Sequence, residues 1–105
     1  MILRPVRITA LRQTVYEDLI AQYENKLENP CCLKTGQTFT AYGMNRPEGF
    51  CESAWITIAP FVNALSCGAK GLYDGWMKND RSVMLSCNDG FRPMSFLIEA
   101  LEEEV

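Results

Sequence analysis

The sequence predicts a single α+β domain in the order β-α-β-α-β-β, with a sheet covered on one face by two helices. Three observations carry this reading. Short stretches alternate apolar and polar residues with the period of a strand, two longer stretches place apolar residues at helical spacing, and an Asp-Gly pair joins two apolar runs near the C-terminus. The length of 105 residues suits one domain with its own core, so the expected boundaries are 1–105.

Each element has a local reason. In "PVRITAL", residues 5–11, Val6, Ile8 and Ala10 share one face of a strand. A helix is predicted over 15–27, where Tyr16, Ile20, Tyr23 and Leu27 fall at helical spacing with Val15 and Leu19 beside them. Thr14 would cap it, with Glu17 completing a capping box. Asn29-Pro30 ends it, because a residue before proline avoids the helical region. A turn at Gly36 and a short strand over 37–42 follow, then the loop "RPEG". In the next segment Ala54, Ile58, Phe61, Val62 and Leu65 fit one helical face, although "WITI" is β-branched enough for a strand. The reading is a helix over 51–66, kinked or restarting at Pro60, with Gly68 as its stop. Residues 68–80 form a polar, glycine-bearing loop whose Leu72, Tyr73, Trp76 and Met77 could serve as a contact surface.

The last two strands are "RSVMLSC" and "RPMSFLIEAL". Asp89-Gly90 between them signals a two-residue hairpin, since a type I′ turn needs positive φ at both centres. That register sets Asn88 opposite Phe91, Cys87 opposite Arg92, Leu85 opposite Met94 and Val83 opposite Phe96. One face is then apolar along both strands, with Cys87 and Arg92 at its rim. "EEEV" at the C-terminus is an acidic, solvated tail.

Composition excludes several functions. Hydrophobic residues are 48% and charged residues 22%, a globular balance. Ten Lys+Arg are scattered among thirteen Asp+Glu, for a net charge of −3, so no basic patch points to nucleic acid. No apolar run approaches the roughly 18 residues of a spanning helix, so no membrane is expected as partner. "MILRPVRITALRQ" carries arginines where a signal peptide has its apolar region, and the expected location is cytoplasmic. The chain has no histidine. A Ser-His or Cys-His mechanism within one chain is therefore excluded, a conventional hydrolase is disfavoured, and any metal site must rest on cysteine and carboxylate.

Five cysteines remain, an odd number that argues against a closed disulfide framework. In a reducing cytosol they are thiols, metal ligands or redox groups. Arg92 beside Cys87 would favour a thiolate there. The competing reading makes Cys87 a small buried hydrophobe and turns Arg92 outward into water. Cys51 falls in the first turn of the second helix, where orphan N–H groups favour a thiolate and Glu48 and Glu52 oppose it. Cys31 and Cys32 are adjacent, a geometry that strains a mutual disulfide but can offer sulfur to a metal. Cys67, at the negative end of the second helix, reads as structural. No pair has C-x-x-C spacing, so the case for a metal is positional: three cysteine-bearing segments begin or end elements and could meet at one end of the sheet.

"NPCC", "PEGFC" followed by "AW", and "CNDGFRPMSFLIE" occur in that order. Together they resemble a family of small uncharacterised cysteine-containing proteins found largely in anaerobic bacteria and archaea. The resemblance covers nearly the whole chain. It carries over to Pro30 and Cys31, to Pro47, Glu48, Gly49 and Cys51, to Ala54 and Trp55, and to Cys87, Asp89, Gly90, Arg92 and Pro93. Cys32 and Cys67 depart from the pattern. The resemblance implies that Cys31, Cys51 and Cys87 are the family-type thiols, and it brings no activity with it.

Three functions follow as expectations. The first is an iron–sulfur cluster or zinc held by Cys31, Cys51 and Cys87, with Cys32 as a fourth ligand and Glu48, Asp89 and Arg92 in support. The second is thiol redox or sulfur-carrying chemistry without metal, at Cys51 or Cys87. The third is a non-catalytic binding or structural module, homo-oligomeric in one version, whose cysteines are structural.

Overall fold

The computed structural model describes residues 2–102. Its elements are β1 (Val6–Gln13), α1 (Glu17–Tyr23), β2 (Thr38–Ala41), α2 (Glu52–Ser66), β3 (Ser82–Ser86) and β4 (Met94–Ala100). They form one antiparallel sheet in the order β2-β1-β4-β3. The α+β class and the C-terminal hairpin are as expected. Of the predicted acidic tail only Glu102 lies among the described residues, and it is exposed. Among the described residues no helix is long and apolar enough to cross a membrane.

Strand alternation builds the core. Val6, Ile8 and Ala10 of β1 and Met94, Phe96 and Ile98 of β4 are buried on one face, with Val83 and Ala41 from the outer strands. Onto this face α2 lays Ala54, Trp55, Ile58, Ala59, Val62 and Leu65, all buried. The helical spacing of these residues, not the β-branching of "WITI", decides the segment, because burial rewards a continuous apolar stripe. Pro60 sits inside α2 without ending it. Its ring removes a hydrogen bond to the Ile56 carbonyl, and both residues are exposed, so water can take up the freed group.

Two expectations need correction. The first helix starts at Glu17, not Val15, and stops at Tyr23. The backbone N–H groups of Thr14 and Tyr16 donate to the carbonyls of Pro93 and Phe91 at 3.0 and 2.9 Å. These bonds continue the β1–β4 pairing past Gln13, Tyr16 becomes the N-cap, and the Thr14–Glu17 capping box does not form. The helix buries no residue. Val15, Tyr16, Leu19, Tyr23 and Leu27 are exposed, by 37% at Leu19 and 70% at Tyr23. The sheet is thus covered by α2, and α1 is tied at its two ends to the β3–β4 connection, through Tyr16 to Phe91 and Glu24 to Arg92.

The hairpin register also differs. Leu85 pairs with Phe96 and Val83 with Ile98, two residues further along β4 than the tight turn would place them. Gly90 does not take a positive φ, and residues 88–93 form a longer connecting loop. The Asp89 carboxylate accepts the N–H groups of Phe91 and Arg92 at 2.8 and 3.1 Å, an Asx-type turn that replaces the two-residue one. Pro93 has no N–H for the ladder and stays in the loop. A shift of two residues preserves the strand period, so the apolar face survives intact.

Between α2 and β3, Leu72–Gly75 makes a single tight turn in which Tyr73 and Asp74 are left-handed, with φ of 53° and 55°. Tyr73 stacks on Phe61 with ring centroids 5.8 Å apart, and Trp76 meets Tyr73 edge-on at 5.4 Å. At the C-terminal end of α2 the buried Ser66 hydroxyl donates to the Arg4 carbonyl at 2.7 Å and accepts the Gly43 N–H at 2.9 Å.

Candidate thiol site

Three separate segments bring cysteines to one place. In the first, Asn29 takes a left-handed φ of 50° before Pro30, and Leu33 inserts into the core. Of the intervening residues, Cys31 packs half-buried against the core and Cys32 is exposed. Cys31 Sγ donates to the Leu33 carbonyl at 3.6 Å, so this thiol is tied into its own loop. In the second, Phe50 is 2% exposed and forms the centre of an aromatic cluster with Phe39, Trp55 and Phe96. That anchor fixes the next residue, Cys51, as the N-cap of α2, one position earlier than expected. The Cys51 side chain makes no capping hydrogen bond, so its sulfur is not consumed by the helix. In the third, Cys87 closes β3 and its Sγ accepts the Met94 N–H at 3.3 Å.

These thiols line a cavity of about 430 Å³ together with Asp89 and Arg92. Asn29, Asn88 and Ser53 supply its neutral polar wall. Cys31, Cys51 and Cys87 are half-buried and Cys32 is exposed at the mouth. All five cysteines are free thiols. Cys67 is exposed at the C-cap of α2, beside Asn63 Oδ1 at 3.8 Å, and does not line the cavity. Glu48 is exposed and lies outside the lining, so it supports no thiol here.

The Cys32 thiol is pushed up from its ordinary value. Burial comes first among the causes, although the residue is exposed as a whole. The neighbouring Cys51 and Cys31 thiols push in the same direction. Cys32 and Cys51 line the same cavity from different segments.

Arg92 does not act as expected. It is not opposite Cys87. Its guanidinium is gripped by both oxygens of Glu24 and by Asp89, with Nη1 at 3.1 Å from Glu24 Oε2 and 3.3 Å from Asp89 Oδ2. The Arg92 and Glu24 side chains are only 11% and 12% exposed. Glu24 is the residue that sequence reasoning misses. It leaves α1 in extended conformation at the helix C-cap, and no local pattern links it to an arginine 68 positions away. Hydrogen bonding to Glu24 raises the Arg92 guanidinium further above its usual value, so it stays charged throughout the accessible range.

Burial alone would raise the Asp89 carboxyl, but the N–H groups of Phe91 and Arg92 and the Arg92 charge outweigh it and hold it below its usual 3.8. The folded chain thus binds this proton less readily than the unfolded chain. The stabilisation is complete above the unfolded value and is lost as pH falls through the folded one. Asp89→Asn keeps an oxygen acceptor for the turn and loses the charge. The stability gap between wild type and this variant, measured by urea unfolding, is expected to be widest near neutral pH and to close as pH drops below about 4.

Among the described residues no group of three or more His, Cys, Asp or Glu side chains is arranged to hold a metal ion. An iron–sulfur cluster or zinc therefore finds no preformed ligand set at Cys31, Cys51 and Cys87. What the arrangement offers is sulfur nucleophiles at the wall and mouth of a small cavity. No protein-family model matches the chain, and no curated protein or solved structure matches it.

Proposed function

We propose that this chain is a thiol redox protein in which Cys32 and Cys51 cycle between dithiol and disulfide, with Cys31 and Cys87 shaping the site. One observation carries the reading: four thiols from three distant segments line a single cavity, and Cys31 and Cys87 are tied by hydrogen bonds to backbone groups, which leaves Cys32 and Cys51, on different segments, as the exchanging pair. The motif resemblance to the small cysteine-containing family belongs to this proposal and supplies Cys31, Cys51 and Cys87. Cys32, outside that pattern, is the partner that the fold adds.

The test is limited oxidation of the reduced protein with diamide, followed by alkylation and peptide mass spectrometry. A Cys32–Cys51 disulfide is the expected product, with Cys67 fully alkylated. Fast alkylation at neutral pH is expected at a cavity thiol before Cys67. Uniform, slow alkylation of all five thiols with no intramolecular disulfide would overturn the proposal. That result would favour the binding-module reading, for which the exposed apolar side chains of α1 are the specific support, and sedimentation would then test for a homo-oligomer.

A further inference from the structure

Resting on that thiol reading, we infer that the substrate oxidising the Cys32–Cys51 pair is a small organic disulfide without net negative charge. Size is the first argument. Three of the four thiols are half-buried within about 430 Å³, a volume that admits a small molecule but not a folded protein's disulfide. Charge is the second. Among the described residues Arg92 is the one cation that lines the cavity, and both of its Nη atoms are engaged by Glu24 and Asp89. Asp89 and Arg92 line the cavity, and Glu24 binds Arg92 from behind it, so this three-residue ion cluster carries a net charge of −1, while the rest of the polar lining is neutral amide and hydroxyl. An anionic disulfide meets there a guanidinium already neutralised by two carboxylates, whereas a cationic or neutral one meets an accommodating field.

The roles of the two sulfurs follow from their places. Cys51, at the N-terminal end of the fifteen-residue α2 with its sulfur free of capping, gives its proton to water, and its thiolate attacks one sulfur of the substrate. The substrate S–S bond breaks, a Cys51–substrate disulfide forms, and the first leaving thiolate takes the proton of Cys32. The Cys32 sulfur then attacks Cys51 Sγ and expels the second thiolate, which is protonated by water. The two protein thiols lose two electrons and two protons, and the substrate disulfide becomes two thiols.

The experiment uses the reduced full-length protein at low salt with three disulfides: cystamine, a dication; bis(2-hydroxyethyl) disulfide, neutral; and oxidised glutathione, an anion. Loss of free Cys32 and Cys51 is followed by mass spectrometry, and each rate is divided by that of the urea-unfolded chain to remove intrinsic reactivity. The normalised rate for cystamine is expected to exceed that for oxidised glutathione by about tenfold, with the neutral disulfide between them. The ratio should shrink severalfold in Asp89→Asn, in Glu24→Gln, and in wild type at high salt. Equal or reversed rates with the Cys32–Cys51 disulfide still forming would overturn the charge inference and leave the thiol reading standing. Failure of all three disulfides while diamide still closes the pair would overturn the substrate class. Failure of diamide as well would bring down the thiol reading itself.

Discussion

Phe50→Ala is expected to lower stability by about 3–5 kcal/mol, the cost of truncating a fully enclosed aromatic side chain. Phe50 is 2% exposed and lies among three rings, 5.0 Å from Phe39, 5.4 Å from Phe96 and 6.1 Å from Trp55 between centroids. Edge-to-face contacts of this kind add roughly 0.5–1.5 kcal/mol to what area burial supplies. The loss would remove a large share of a domain's usual 5–15 kcal/mol or so. The residue also ties the site to the core. It precedes the N-cap Cys51, its N–H donates to the Pro47 carbonyl at 3.2 Å, and its carbonyl accepts Arg46 at 2.6 Å. Phe50→Leu, which keeps most of the volume, should cost less than half as much. Denaturant unfolding of the two variants checks the ordering. A loss below about 1 kcal/mol for the alanine variant would contradict the aromatic cluster as the centre of the core.

Cys32→Ser is expected to trap a stable mixed disulfide between Cys51 and one half of cystamine, because the resolving sulfur is gone. Cys51→Ser should instead lower the rate at which cystamine is consumed by about tenfold or more, to that of an ordinary exposed thiol such as Cys67. Intact-mass spectrometry reads both outcomes directly. If the two serine variants behave alike, the assignment of attacking and resolving sulfur is wrong. If the mixed disulfide in Cys32→Ser sits on Cys87 or Cys31, the attacking sulfur is misassigned.

The core of this protein was largely legible from its residues. The alternation in β1 and β4 and the stripe Ala54, Ile58, Val62, Leu65 each report burial directly, because one face of an element must leave water. The hairpin was legible only in part. Asp89-Gly90 is a strong turn signal by itself, yet Asp89 spends its carboxylate on two N–H groups of the loop and on Arg92. The apolar face did not depend on the outcome, since the register moved by a whole strand period.

Helix α1 shows the opposite failure. Its apolar spacing is genuine, but Thr14 and Tyr16 are taken by the carbonyls of Pro93 and Phe91, and the helix is left with its apolar side chains exposed. Periodicity states which side chains share a face. It does not state what that face meets.

The residue types themselves determined the class of fold, the absence of histidine chemistry and the set of thiols worth following. Cys51 and Cys87 sit beside the start of α2 and the end of β3, as local signals place them, whereas Cys31 and Cys32 lie within the connection between α1 and β2, not at an element boundary as expected, because α1 stops early at Tyr23. Whether they converge was decided only by tertiary structure, through Leu33 anchoring one loop and Phe50 anchoring another. The same holds for the partner of Arg92. A hairpin neighbour is a local prediction, whereas Glu24 reaches it from a distant segment, because a nearly buried guanidinium is stabilised by whichever carboxylates can enclose it.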